Sequence, residues 1–270
     1  MARFKILTPG NPKTEKGRGA GYWTFILHLA PAKLSGFNVC PMATAGCEAA
    51  CLNTAGRGGM MKGVARLTVE DVKAGKVNTI QAARIRKTKW FFESRETFLF
   101  ALVREMETAV RLARKAGLEP VFRLNGTSDI RWEAVKVPAM AGTWSSKPEG
   151  SANLFEHFGD VRFYDYTKLP NRKGLPANYT VVFSLADGNR EQAVKAFRNG
   201  LNVAVVFRDK ATVAFYEANG FALAAAGDYV VAEVVNGDET DLRFLDPKGV
   251  VVGLYAKGNA KRDTSGFVVD

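Results

Sequence analysis

The sequence predicts an α/β fold, a partial or complete parallel (βα) barrel-like sheet with a C-terminal hairpin or edge strands. Three observations predict it. Short apolar runs rich in β-branched and aromatic residues recur at 22–29, 121–124, 161–166, 179–186 and 201–207, the pattern of strands buried on both faces. Helical patterns lie between several of these runs, at 78–117 and 190–198, and strands alternating with helices imply a parallel sheet. Polar residues repeat just past the ends of the runs, where the loops of such a sheet leave the packed interior and line a site.

The elements are justified in chain order. Residues 1–21 carry Pro9, Gly10, Pro12, Gly17, Gly19 and Gly21 with few apolar residues, which predicts an extended arm. Residues 22–270 are then a single α/β metal-binding domain. The first strand, 22–29, ends at Pro31, and glycines 56, 58, 59 and 63 come after the loop beyond it. In the helical block Leu99, Val103, Met106, Val110 and Ala113 recur at three and four residues, with Ser94 as N-cap and Gly117 as stop. Its first half is basic, with Arg84, Arg86, Lys87 and Lys89 ahead of Trp90, Phe91 and Phe92. That aromatic wedge reads as core packing first and as a stacking surface for bases second. Residues 132–159 are irregular, with a weak helical pattern at 153–158. The tail offers strands at 229–235, 241–244 and 250–256, and the D-P-K-G turn at 246–249 joins the last two.

Composition bounds the function. The chain has 270 residues, 47% hydrophobic and 24% charged, ordinary values for a globular protein. No apolar run is long enough to cross a bilayer and no targeting segment is evident, so no membrane partner and a cytoplasmic setting are expected. The net charge of +11 favours anionic partners: a small anionic or nucleotide ligand, with nucleic acid as a further candidate. Oligomeric state is left open.

The stretch 38–59 holds all three cysteines, Cys40, Cys47 and Cys51, spaced C-x6-C-x3-C. If 46–53 is helical, Cys47 and Cys51 leave the same face one turn apart. Pro41 lets the chain fold Cys40 back over them. Crowded thiolates repel one another and lose hydration, a cost that a soft metal offsets. A cubane iron–sulfur cluster normally takes four cysteines, so three would leave one iron open. Structural zinc with His28 or His157 as fourth ligand is a second reading, and unliganded cysteines a third. An odd count argues against a disulfide framework.

The groups at successive strand ends are the candidate site. Asp129, Asp165 and Lys168 are candidate catalytic residues, Asp129 also reading as an N-cap for the segment that starts at Ile130; Arg123, Asn125, Ser184 and Asp187 are candidates for binding a cofactor or anionic ligand. Arg208, Asp209, Lys210 and Lys257 are weaker candidates of the same kind.

The segments N-V-C-P-x-A-T-x-G-C-x-x-x-C-L-N-T-A-G-R-G, R-L-N-G-T-S-D-I and F-Y-D-Y-T-K resemble a bacteriophage-encoded family labelled gene product eighty-eight, from Tyr22 onward. The resemblance implies an iron–sulfur cluster on Cys40, Cys47 and Cys51 and supplies no substrate. More distantly, three cysteines in a loop after the first strand of an α/β barrel resemble the radical S-adenosylmethionine enzymes, where the free iron binds the cofactor's amino and carboxylate groups. Those enzymes use C-x3-C-x2-C. The expected function is therefore that of a protein with a site-differentiated [4Fe-4S] cluster, with S-adenosylmethionine as a second candidate cofactor. It would act on a nucleotide or small anionic substrate by radical-SAM-like or Lewis-acid and sulfur chemistry. The alternative is a nucleic-acid-binding or redox-sensing regulatory protein with a structural iron–sulfur or zinc site.

Overall fold

The structure, a computed structural model, describes residues 5–138, 153–225 and 227–270. In chain order the strands and helices are β1 (Leu7–Thr8), β2 (Tyr22–Leu27), α1 (Ala45–Ala49), α2 (Val69–Lys73), α3 (Thr79–Glu93), α4 (Arg95–Lys115), β3 (Glu119–Arg123), α5 (Leu154–His157), β4 (Arg162–Thr167), β5 (Tyr179–Ser184), α6 (Arg190–Arg198), β6 (Val203–Phe207), α7 (Lys210–Asn219), β7 (Phe221–Ala225), β8 (Asp228–Ala232), β9 (Val234–Asn236), β10 (Val251–Tyr255) and β11 (Val268–Val269). Part of the irregular stretch expected at 132–159 lies outside the described residues.

The main sheet runs β1-β2-β3-β4-β5-β6-β10-β9, with β11 also on β6. All its pairings are parallel except β1 on β2. The parallel α/β sheet is as the sequence predicts. From β2 to β6 each strand lies beside the next in the chain, so right-handed crossovers place their helices on one face. Among the described residues no pairing joins β1 to β9. β5 and β11 share one side of β6: β5 pairs with Val203 and Ala204, and β11 with Val206 and Phe207. The C-terminal tail thus fills the gap where β5 diverges.

The helical block at 78–117 is two helices. Ser94, at φ −143° and ψ 59°, breaks it, and its side chain makes no capping bond. Gly117, at φ 70°, ends α4. The expected face of α4 is the buried one: Leu99, Val103, Met106, Val110 and Ala113 join Phe25 and Phe122 in one core. The aromatic wedge is core too, Phe91 lying 5.4 Å from Phe98 and 5.3 Å from Trp132.

The tail departs from expectation. Residues 241–244 form no strand; a 3-10 turn occupies Arg243–Leu245. The antiparallel pair lies one element earlier, β7 with β8. Strand β10 runs parallel to β9 because residues 237–250 cross the sheet before it starts, and its V-V-G core is buried on both sides. Helix α7 and strand β7 go beyond the predicted elements, since 210–225 is alanine-rich and without clear alternation; Gly220, at φ 74°, separates them.

The arm is only partly extended. Leu7–Thr8 pairs with β2, and a 3-10 turn at Thr14–Ala20 packs Gly17 against Leu242. This turn and residues 237–246 cover the face of the sheet opposite the helices. There Asp241, 2% exposed, accepts hydrogen bonds from Arg123 Nη1 at 3.0 Å and the Tyr164 hydroxyl at 2.8 Å, and pairs with Lys13 at 2.9 Å. Burial alone would raise its pKa, but Lys13, Arg123 and Arg243 outweigh it and hold the carboxyl below the usual range.

Asp241→Ala leaves these cations buried without their partner and should cost about 3–5 kcal/mol, read as a lowered urea midpoint. Because the folded carboxyl has a depressed pKa, its contribution is complete above about pH 4 and is lost as pH falls through the folded value. Asp241→Asn should therefore show a shallower acid limb of stability than the parent chain.

Candidate functional site

The cysteine loop leaves the carboxyl end of β2 and is pinned to its neighbours along the rim. The Asp129 N–H donates to Val39 O at 2.8 Å, and the Cys40 N–H to Asn38 Oδ1 at 3.0 Å. Thr44 caps α1 by accepting from the Cys47 N–H at 3.2 Å. The helix is shorter than predicted, ending at Ala49, so Cys51 sits just beyond it with extended backbone and begins a 3-10 turn at Leu52–Thr54. Asp187, from the loop after β5, accepts from Thr44 Oγ1 and from the Gly46 N–H at 3.1 Å. A Cβ at Gly46 would collide with Ser265 and Asp187, so only glycine permits this approach.

Helix α3 clamps the far side of the loop with polar side chains. Gln81 Nε2 donates to Asn53 O at 2.7 Å and Gly58 O at 2.8 Å, and Arg84 Nη1 to Asn53 O at 2.8 Å. Asn78 Nδ2 reaches the carbonyls of Gly58 and Met60, each at 3.0 Å. Asn78, Gln81, Arg84 and Thr88 recur at three and four residues, so a polar stripe at helical spacing is the signal that could have found them. Lys87 also turns inward, donating to Ile6 O at 2.9 Å, and burial lowers its pKa to about 8. Of the four basic residues in this half of the block, Arg84, Arg86, Lys87 and Lys89, only Arg86 and Lys89 are exposed.

All three cysteines are free and half-buried. Burial pushes the Cys40 thiol up to about 12, with Cys51, Asp129 and Cys47 adding to the rise and a backbone hydrogen bond from Ala32 opposing it. Burial pushes Cys51 up to about 11; the Asn53 N–H lowers it, Cys47 raises it, and Lys168 and Arg84 lower it. Lys168 answers this group. Burial would lower its pKa, yet the nearby Cys47, Asp129 and Cys40 raise it overall. His28 is held neutral by burial and by Arg84, Lys87 and Arg123. Among the described residues no group of three or more His, Cys, Asp or Glu side chains is arranged to hold a metal ion.

The other predicted residues divide in two. Asp129 stands beside the sulfurs: its Oδ1 accepts from Thr167 Oγ1 and its Oδ2 from the Lys168 N–H, both at 2.7 Å. It caps no helix, since the next 3-10 turn, at Trp132–Ala134, starts after Arg131. Burial raises the Asp129 pKa despite those bonds. Asp187 holds the cysteine loop, as described, and the Ser184 carbonyl accepts from Asn189 Nδ2 at 3.0 Å. The rest serve the interior. Arg123 is taken by Asp241, and Asn125 Oδ1 accepts from Ser128, Ile130 and Trp132. Asp165 accepts from the Asn125 N–H at 2.7 Å and the Tyr179 hydroxyl at 3.0 Å, and burial raises its pKa to about 7 against the pull of Arg123. Thr44, Gln81, Arg84 and Thr167 are the contributors that strand-end reasoning missed.

Asp187→Ala removes both bonds to Thr44 and Gly46, a loss of about 1–3 kcal/mol. Amide hydrogen exchange should then rise at 44–51 while β2 and β3 stay protected; unchanged exchange would show that the loop is held by other contacts.

Among the described residues no helix is long and apolar enough to cross a membrane. No curated protein and no solved structure matches the chain. The family comparison does find a match, and it spans almost the whole sequence: residues 5–270 fit the model for Gene product 88, so the chain belongs to this bacteriophage protein family.

Proposed function

We propose that the protein is an enzyme whose Cys40, Cys47 and Cys51 hold a [4Fe-4S] cluster with one iron left open to a small anionic substrate. One observation carries the reading. Three thiols from a single loop lie within electrostatic reach of one another around the Lys168 ammonium, on the carboxyl rim of a parallel sheet with sequential strand order. The same strand order supports reading the sheet as part of a barrel.

The donor chemistry suits the group. Thiolates are the ligands of iron–sulfur clusters, and a bound cation would compensate sulfurs whose ionisation burial now opposes. A tetrahedral zinc needs its donors within about 2.0–2.3 Å of one point, and no such convergence exists among the described residues. What favours a cluster over zinc is the donor set, three thiols from one loop and no paired C-x2-C spacing. When bound, the cluster would supply a Lewis-acidic iron or a transferable electron. The chain's own residues would do the rest. Lys168 offers positive charge to an anionic ligand, and Asp129, whose oxygens keep lone pairs free, accepts a hydrogen bond or a proton from it. Asp187 keeps the loop in register with the rim.

Protein reconstituted without air should carry about four iron and four sulfide per chain, with a reduced-state paramagnetic resonance signal that shifts on adding S-adenosylmethionine or an anionic substrate. Serine at Cys40, Cys47 or Cys51 should each lower the iron content and change the signal. One zinc per chain without sulfide, or iron content indifferent to Cys47→Ser, would overturn the reading.

A further inference from the structure

We infer that the cleft between the cysteine loop and the junction of α3 with α4 is a binding site for a nucleoside monophosphate. The inference rests on the proposed function, for which it names the ligand class. The cleft has a volume of about 270 Å³ and is built from separate stretches of chain brought together by the fold. Convergence of that kind, next to Cys40 and Asp129, is what a ligand site requires.

Its walls are mostly apolar: Val39, Pro41, Phe91, Phe92, Ile130 and Leu169 supply them. A flat ring would be desolvated there. The polar groups are few and of two kinds. Arg95 and Arg131 bring positive charge. Arg95 is exposed, makes no ion pair among the described residues, and lies 4.8 Å from the Phe91 ring and 5.9 Å from the Phe92 ring. Arg131 has a side chain 61% exposed and meets Glu133 at 3.3 Å, a carboxylate that Arg172 already holds at 2.9 Å. Both guanidinium groups therefore keep donors for a phosphate, whose oxygens match their planar fork.

The second kind reads a ring edge. Asp129 takes one hydrogen bond on each carboxylate oxygen, leaving acceptor capacity for the exocyclic amino group of a base such as adenine. Asn38 uses its Oδ1 for the Cys40 N–H, and its exposed amide nitrogen is free to donate. Size then narrows the choice. The volume sits just below the roughly 300 Å³ at which small-molecule sites begin, so one nucleotide fills the cleft and a dinucleotide overfills it. Apolar walls, a carboxylate and an amide for a base edge, and two guanidiniums on the lining for an anion together describe a nucleoside monophosphate.

Titration calorimetry on the full chain, freed of metal by chelation, tests this with adenosine monophosphate, adenosine and inorganic phosphate as probes. The nucleotide should bind saturably, and adenosine and phosphate at least tenfold more weakly. The double variant Arg95→Ala with Arg131→Ala should lose tenfold or more in nucleotide affinity and leave adenosine binding unchanged; both side chains are exposed, so the fold is not at stake. Val135→Trp, on the cleft wall, should abolish binding of nucleotide and nucleoside alike at an unchanged melting temperature. No nucleotide binding, phosphate binding as tight as the nucleotide's, or indifference to the arginine pair would overturn the inference. Because the probe is read without metal, nucleotide binding by a chain that takes up no iron would sink the cluster reading alone, and a loaded cluster without nucleotide binding would sink this inference alone.

Discussion

Burial raises the thiol pKa of both Cys40 and Cys51, and the neighbouring sulfurs add to it, Cys51 and Cys47 at Cys40 and Cys47 at Cys51. Much of the surrounding structure answers that electrostatic constraint. Lys168 sits among the sulfurs and is itself kept charged by them, while Arg84 lends a second positive field from α3. Asp129 adds a negative charge at the same place, and its oxygens are occupied by Thr167 and the Lys168 backbone. Burial thus opposes a negative charge on Cys40 and on Cys51, and positive charge brought close to these two sulfurs would ease it.

Holding the cysteine loop in place falls to polar contacts from the loop after β5, from α3 and from the C-terminal stretch. Asp187, Asn259 and the polar stripe of α3 grip the loop from different directions: Asn259 Nδ2 donates to Thr54 Oγ1 at 3.1 Å and Leu67 O at 3.2 Å. Gly58 and Gly59 are required because a Cβ on either would strike the carbonyl of Asn53 or Thr54. The opposite face of the sheet is closed by a separate device, the ion pairs of Asp241 with Lys13 and Arg123. The N-terminal arm is thereby made part of the core rather than a tether.

Much of the fold was legible because it depends on local pattern. The apolar runs at β2 to β6 and the three-and-four spacing along α4 report burial directly, and the turn glycines mark where elements end. Misjudged elements share a cause. Helix α3, the first half of the block, buries Gln81 and Thr88 ahead of Phe91, so its inner face carries little apolar pattern and looked like a basic surface. Residues 241–244 looked like a strand because their alternation of polar and apolar side chains fits an edge, whereas Asp241 and Arg243 are buried in ion pairs that only the folded chain can supply.

The sequence by itself determined the parallel α/β architecture, the membership of the three cysteines in one loop, and the presence of Asp129, Lys168 and Asp187 at strand ends, because each is set by periodicity or by residues close along the chain. Tertiary structure decided how the strand-end residues divide. Arg123 and Asp165 turned inward to partners 118 and 14 positions away, Asp241 and Tyr179, while Lys168 and Asp129 turned to the sulfurs. That choice rests on which charges meet after the sheet is assembled, a long-range balance of desolvation against pairing that no local pattern encodes.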